Sequence, residues 1–260
     1  MDLIGINRIT YTTDTHSDLI ESASPMALSD TTNSQRARTA MVDSQLRTNR
    51  VDDPGIIEAF ENIPRELFVA DAYKSVAYVD EDLPLTDNRA LLEPMVLGRM
   101  IQSVTPLASK DVLDLGCGTG YASAIMSQRA KSVVAAESDP ALLDHARRVH
   151  EDLNLDNVVH TAVEDIRAGA IDLAPFDAII IGGAIGSVPK AIFDQLAPDG
   201  CLIALVVDAQ DARANNPATR QQRCQAMLYK KFGDTVSGRS LFDAAALPMP
   251  EFFTSPRFSF

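Results

Sequence analysis

The residues best suited to chemistry lie in "VLDLGCGTGY", residues 112–121. Gly116, Gly118 and Gly120 form a G-x-G-x-G turn between an apolar run and an amphipathic one. Glycines allow the backbone to pass close to a ligand, and the start of a helix presents unpaired N–H groups. A strand-to-helix turn without a ligand would look the same in isolation; here it heads a series of alternating strand and helix patterns, which is the context a ligand turn requires. Asp114 stands just before the turn and Cys117 inside it, the latter as a small residue rather than a nucleophile. A dinucleotide fingerprint would need glycine at position 121, which is Tyr121, so a pyrophosphate is not the favoured ligand. The charge of Asp114 suits a cationic or hydroxyl-rich ligand instead. Glu137 ends the next strand-like run, 17 residues beyond Gly120. In doubly wound sheets an acid there accepts hydrogen bonds from ribose hydroxyls.

The elements that must position these groups follow from periodicity. From residue 111, "DVLDLG", "SVVAAE", "NVVHTAV", "FDAIIIGGA" and "CLIALVV" read as strands. Between them "GYASAIMSQRA", "DPALLDHARRVHEDL" and "VPKAIFDQLA" read as helices, the second capped by Asp139 with Pro140 behind it and the third ended by "PDG". Continuous apolar strands alternating with amphipathic helices predict an α/β fold, a doubly wound, mostly parallel sheet covered on both faces. "CQAMLYKKF" and "VSGRSLF" predict an antiparallel pair at the sheet edge, after a polar loop "DAQDARANNPATRQQ". Residues 34–110 are predicted to form a helical cap and a loop. "QRARTAMVDSQLRTN" is its first helix. "DDPGIIEAFENI", with Asp53 as N-cap and Pro54 in the first turn, is its second, and "MVLGRMIQSV" its third. Residues 1–33, rich in Ser, Thr and Asp, are expected to be a disordered tail, and 111–260 a ligand-binding domain packed on the cap.

Read in order, "MVDSQLRTNRVDDPGIIEAFENIPRELFV" (41–69), "AYVDEDLPL", "VLDLGCGTGYASA", "PFDAIIIGGA" and "QLAPDGCLIALV" resemble the protein-L-isoaspartate O-methyltransferases. The likeness covers roughly residues 40–208, and the C-terminal "LFDAAALPMPEFFTSPRFSF" is similar to a bacterial subgroup of that family. The resemblance implies a class I, Rossmann-like methyltransferase using S-adenosyl-L-methionine, with protein repair as its role and an isoaspartyl-bearing protein or peptide as partner. Asp114, Gly116, Cys117, Gly118, Gly120 and Glu137 would then bind the donor. Glu164 or Asp165 of "VEDI" would stand near its adenine, with Glu164 the choice; the alternative, that one of them caps the next turn, leaves the other free for that role.

One departure sets a question. In the family the loop after L-P reads Q-T-I-S-Q-P; from Leu83-Pro84 to Pro94 the spacing is kept, but the residues are "RALLEP". Ala90 and Leu92 occupy the positions of the two catalytic hydroxyls. The acceptor carboxylate is its own nucleophile toward a sulfonium methyl, so no general base is needed. Rate must come from proximity and hydrogen bonds that fix the carboxylate. Loss of both donors points to isoaspartyl methylation by another donor, to a different acceptor, or to a cofactor-binding protein without turnover. Arg89 is the candidate replacement, able to hold a carboxylate bidentately; the alternative is a surface arginine paired with Glu93 or Asp87. Leu91 and Leu92 read as core residues beneath the donor site.

Composition narrows the partners. A net charge of −13 over 260 residues repels phosphate backbones and excludes nucleic acid as an expected partner. No apolar run is long enough to span a bilayer, so no membrane association is expected. The three cysteines form no C-x-x-C pair, and there is no leader-like N-terminus; both point to the cytoplasm. His145, His150 and His160 lack acidic or thiol partners at ligand spacing, so no metal is expected, and the first two read as solvated helix residues.

Overall fold

The computed structural model describes residues 25–207 and 221–253. Its centre is a seven-stranded sheet. The strands are β3 (Asp111–Leu115), β4 (Ser132–Glu137), β5 (Val158–Ala162), β6 (Phe176–Ile185), β7 (Leu196–Val207), β8 (Gln222–Phe232) and β9 (Thr235–Ala246). Their spatial order is β5-β4-β3-β6-β7-β8-β9, with β5 to β7 parallel and the β8–β9 hairpin antiparallel at one edge. The predicted α/β sheet and its edge pair are both present. Successive strands run outward from β3 to β5, and the chain then returns to place β6 on the other side of β3. Such a reversal opens a crevice beyond the carboxyl ends of β3 and β6, where open α/β sheets bind ligands.

Each face of the sheet is covered. Leu113, Leu115, Ile179, Ile181, Leu202 and Met249 make the core of one face. Val112, Ile180 and Ile203, on the other, pack against the cap, to which α2 (Pro54–Asn62) contributes Ile56 and Phe60 and α3 (Pro94–Ser103) contributes Val96 and Met100. Asp53 caps α2 by accepting from the Gly55 and Ile56 amides, and Asp139 caps α5 (Pro140–Asp152) in the same way, as the Asp-Pro pairs predict. Two buried polar contacts tie cap to sheet: Thr119 Oγ1 donates to the Phe68 carbonyl at 2.6 Å, and Arg65 is fully buried between the two units.

Two expectations are corrected. The tail predicted for 1–33 gives way at Pro25, where α1 (Pro25–Met41) begins and runs through 25–33; the earlier residues lie outside the described ones. The helix expected over "VPKAIFDQLA" shrinks to α6 (Lys190–Phe193), and "PDG" lies inside β7 instead of ending a helix. Gln195 ends that helix: its buried side chain accepts from the Ala170 amide and donates to the Ala168 and Ala191 carbonyls. A short hairpin not predicted at all, β1 (Leu83–Pro84) with β2 (Ala90–Leu91), carries the altered loop. The polar loop after β7 falls largely outside the described residues.

Candidate active site

At the end of β3 the backbone turns left-handed at Gly116, Gly118 and Gly120 (φ 74°, 56° and 88°) before entering α4 (Tyr121–Ser127). At Gly120 a side chain is excluded twice, by its φ and by His150, whose ring would lie 2.6 Å from a Cβ. Across the crevice, a Cβ on Gly182 of β6 would meet the Gly116 carbonyl oxygen at 2.3 Å. The two strand ends therefore approach as closely as backbone allows.

His150 is not solvated as the sequence suggested. It is 1% exposed, with Nε2 at 2.8 Å from the Gly120 carbonyl and Nδ1 at 2.8 Å from His160 Nε2. Burial, against the pull of the Gly120 carbonyl, lowers its pKa to about 4, so the neutral ring braces the glycine turn.

Asp114 is fully buried beside the turn. Its Oδ2 accepts from Ser123 Oγ at 2.5 Å, while Oδ1 is buried with no hydrogen-bond partner among the described residues. Burial, opposed by the Ser123 bond and reinforced by the charge of Glu137, raises its pKa to about 7. Cys117 is buried, and burial pushes its thiol well above the usual range, which makes it inert packing in the turn.

Glu137 sits at the end of β4 with no exposed surface. Its Oε2 accepts from the Gly118 amide at 2.9 Å, and Oε1 from the Ser138 amide at 2.7 Å. Oε1 accepts in addition from the Asp139 amide at 3.1 Å and the Ser138 hydroxyl at 3.2 Å, and both oxygens also accept from Arg89. The arginine's Nε lies 3.2 Å from each, and its Nη2 3.1 Å from Oε1. Arg89 is thus buried against Glu137, neither a surface arginine nor turned outward toward an acceptor. Burial alone would lower its pKa, but the charges of Glu137 and Glu251 outweigh it and hold the guanidinium above its usual value.

The altered loop forms the other wall. Ala90, Leu91, Leu92, Leu97 and Ile180 face Asp114, Gly116, Cys117 and Gly182 around a cavity of about 20 Å³, room for about one water. Leu91 and Leu92 are buried, as expected. Arg65 holds this wall in place, donating from Nη2 to the Leu92 carbonyl and from Nε to the Ala77 carbonyl, both at 2.8 Å, with its guanidinium 5.1 Å from the Tyr121 ring. Composition and spacing gave no sign of this positioning role for Arg65; its burial in the middle of "PRELF" emerges only from the fold.

Beyond Ala90 lies a second, open cavity of about 440 Å³. Its wall comprises Glu81, Asp82, Pro84, Ala90, Gln221, Arg223, Ala245 and Leu247. Ala90 separates the two spaces. Glu164 and Asp165 are exposed after β5; Asp165 is spent on its own turn, accepting from the Arg167 amide and pairing with its guanidinium. Among the described residues no three His, Cys, Asp or Glu side chains are placed to hold a metal, and no helix is long and apolar enough to cross a membrane.

Comparison with known proteins agrees with this architecture. The Protein-L-isoaspartate(D-aspartate) O-methyltransferase (PCMT) family profile matches residues 36–236. A relative from Syntrophobacter fumaroxidans, named protein-L-isoaspartate O-methyltransferase 1, is 34% identical over 68% of this chain and 82% of its own length. A solved protein-L-isoaspartate O-methyltransferase superposes with a TM-score of 0.68 at 25% identity, over 81% of this chain; the match spans 65% of that structure's length. A Plasmodium falciparum structure described as a PCMT in complex with S-adenosyl-L-homocysteine shares the fold, with a TM-score of 0.63 at 17% identity over 82% of this chain and 97% of that one. The chain belongs to the protein-L-isoaspartate(D-aspartate) O-methyltransferase family.

Proposed function

We propose that the protein transfers a methyl group from S-adenosyl-L-methionine to the side-chain carboxylate of an isoaspartyl residue in a protein or peptide. The observation that carries this reading is the shared wall at Ala90, which sets a glycine cradle at the sheet's switch point against a cavity wide enough for a peptide side chain. The residues suit the donor in kind. The glycine turn and Gly182 leave backbone bare, Asp114 keeps an unpartnered buried oxygen, and Glu137 is the acid at the β4 terminus that receives ribose hydroxyls in this topology. Asp114 would meet the donor's cationic or hydroxyl groups, and exposed Glu164 is the acid left for its adenine.

When bound, the donor supplies an electrophilic methyl on its sulfonium. The chain's own contribution is orientation and dryness, because the acceptor carboxylate needs no base. Leu91, Leu92, Leu97 and Ile180 make most of the inner cavity's wall apolar and leave room for no more than about one water, and Arg65 fixes the Leu92 backbone. In the outer cavity Arg223 and Gln221 can hold a carboxylate, whereas Glu81 and Asp82 oppose it.

The test is incubation of the full chain with an isoaspartyl peptide and methyl-labelled donor. Base-labile methyl ester on the peptide is the expected product. Its absence, with the demethylated donor still bound in calorimetry, would favour a second reading, donor binding without turnover; the lack of any hydroxyl at positions 90 and 92 supports that reading.

A further inference from the structure

Arg89 is 4% exposed and its guanidinium donors are spent within the protein. Besides Glu137, Nη2 donates to Ser138 Oγ at 3.1 Å and to Glu251 Oε1 at 3.0 Å, and Nη1 to the Asn88 carbonyl at 2.9 Å and to Glu251 Oε2 at 3.4 Å. Glu251 belongs to the C-terminal 3-10 turn Pro250–Phe252, while Arg89 closes the β1–β2 hairpin, where its carbonyl accepts from the Leu85 and Thr86 amides. The same two segments lie on the glycine turn. A Cβ at Gly118 would be 2.8 Å from Leu85 Cδ1, and one at Gly116 2.5 Å from Met249 Cε. Among the described residues, the cavity between the turn and the Ala90–Leu92 wall is about 20 Å³, far below the several hundred Å³ that pockets for nucleoside-sized ligands provide.

From this we infer that Arg89 is an intramolecular competitor of the methyl donor. Its guanidinium clasps Glu137 and Glu251 together, and this latch must open before ribose hydroxyls can reach Glu137. The inference rests on the reading of Glu137 as the ribose acid. Charge and geometry make Arg89 a competitor, not a ligand: a carboxylate that already accepts from three amides and the Ser138 hydroxyl, with the guanidinium on both its oxygens, has no position left for ribose hydroxyls until the arginine leaves. Opening the latch also carries the β1–β2 hairpin, and with it Ala90, away from the glycine turn, so donor entry and the position of the acceptor wall are one event. A ligand that binds only an open state has its apparent affinity scaled by the fraction of molecules in that state. Weakening the latch therefore raises donor affinity without any new contact to the donor.

Calorimetric titration of S-adenosyl-L-homocysteine into the full chain tests this with wild type, Arg89→Gln and Glu251→Gln. Arg89→Gln should bind at least about tenfold tighter than wild type, and Glu251→Gln about threefold tighter, since it removes only the outer half of the clasp. Equal or weaker binding by Arg89→Gln, with wild type binding measurably, would overturn the latch and leave the donor reading standing. No binding by any of the three would overturn both. If Arg89→Gln does not fold, Glu251→Gln decides the matter by the same signs, because its side chain is 35% exposed and its loss strands no deeply buried charge.

Discussion

Replacing Glu137 by glutamine keeps the shape of the side chain and removes the charge that faces Arg89. The arginine side chain is 4% exposed and the glutamate fully buried, so the variant leaves a buried guanidinium short of its principal partner. Breaking a buried pair from one side costs about 3–5 kcal/mol. Glu251 stays within 3.0 Å, at the rim, which places the expected loss near the low end, about 3 kcal/mol. The opposite truncation, Arg89→Met, should cost less. Glu137 would keep the Gly118 and Ser138 amides, the Asp139 amide at 3.1 Å and the Ser138 hydroxyl, so that carboxylate remains hydrogen-bonded. The double variant should be less destabilised than the sum of the two singles by about 1–3 kcal/mol, the range for groups in direct contact. Urea denaturation of all four proteins at pH 7 gives these differences. A Glu137→Gln variant within about 0.5 kcal/mol of wild type would refute the reasoning, as would additive singles. An Arg89→Met loss exceeding that of Glu137→Gln would show that the amide cluster does not sustain the carboxylate alone.

Other outcomes follow from the same site. Ala90→Thr with Leu92→Ser should raise ester formation on an isoaspartyl peptide about a hundredfold if missing donors limit the rate, at a folding cost of about 2–4 kcal/mol from the lost Leu92 packing; no gain would place the deficit in loop geometry. Adding Arg89→Gln to that pair should raise the rate again at low donor concentration, measured as a fall in the donor KM. Asp114 titrates at about 7 in the fold, above its unfolded value, so the native state holds a proton the unfolded chain has released between about pH 4 and 7. Its contribution is full at low pH and is lost as pH rises through 7; Asp114→Asn should therefore gain stability relative to wild type between pH 5 and pH 8, and a pH-independent difference in urea midpoints would contradict this. Burial, with the charges of Asp82, Asp80 and Glu81, raises Glu93 to about 7, and burial raises Asp82 as well. The KM for an acidic acceptor peptide should accordingly fall between pH 8 and pH 6, and Glu93→Gln should flatten that profile.

What the sequence made legible is local or periodic. Asp53-Pro54 and Asp139-Pro140 announce helix starts because capping acts within three residues, and the apolar strands announce a parallel sheet because both faces are buried. The glycine turn, Asp114 and Glu137 converge as read, since the strand ends of a doubly wound sheet are forced to the same edge. The misreadings are long-range. His150 lies on an amphipathic helix and is polar by type, but the Gly120 carbonyl, 30 residues away in sequence, makes its burial favourable. "VPKAIFDQLA" has a helical pattern, yet Gln195 is drawn into bonds with residues 168 and 170 and Leu196 pairs with Phe176, which begins the strand early. Arg89 finds partners 48 and 162 residues away, beyond any window on which periodicity or spacing can act.

The departures at Ala90 and Leu92 are best understood together with the arginines that hold the loop. A loop with hydroxyls at positions 90 and 92 can be oriented by its own side chains; an Ala-Leu-Leu loop cannot, and must be held from outside. Two buried arginines do this, Arg65 by gripping the Leu92 carbonyl and Arg89 by reaching the β4 terminus. Arg65 grips the Leu92 and Ala77 carbonyls, neither of which the donor would use, so it fixes the loop whether or not a donor is present. On the proposed reading Arg89 uses the very carboxylate that a ribose would need, so its grip would hold only while the donor is absent. The loop is therefore fixed at its C-terminal end and conditional at its N-terminal end, and Ala90, next to the conditional anchor, is the residue that faces both cavities. On the latch proposal, an acceptor wall hinged in this way would be set by occupancy of the donor site, and a loop without hydroxyls would still distinguish a loaded from an unloaded protein.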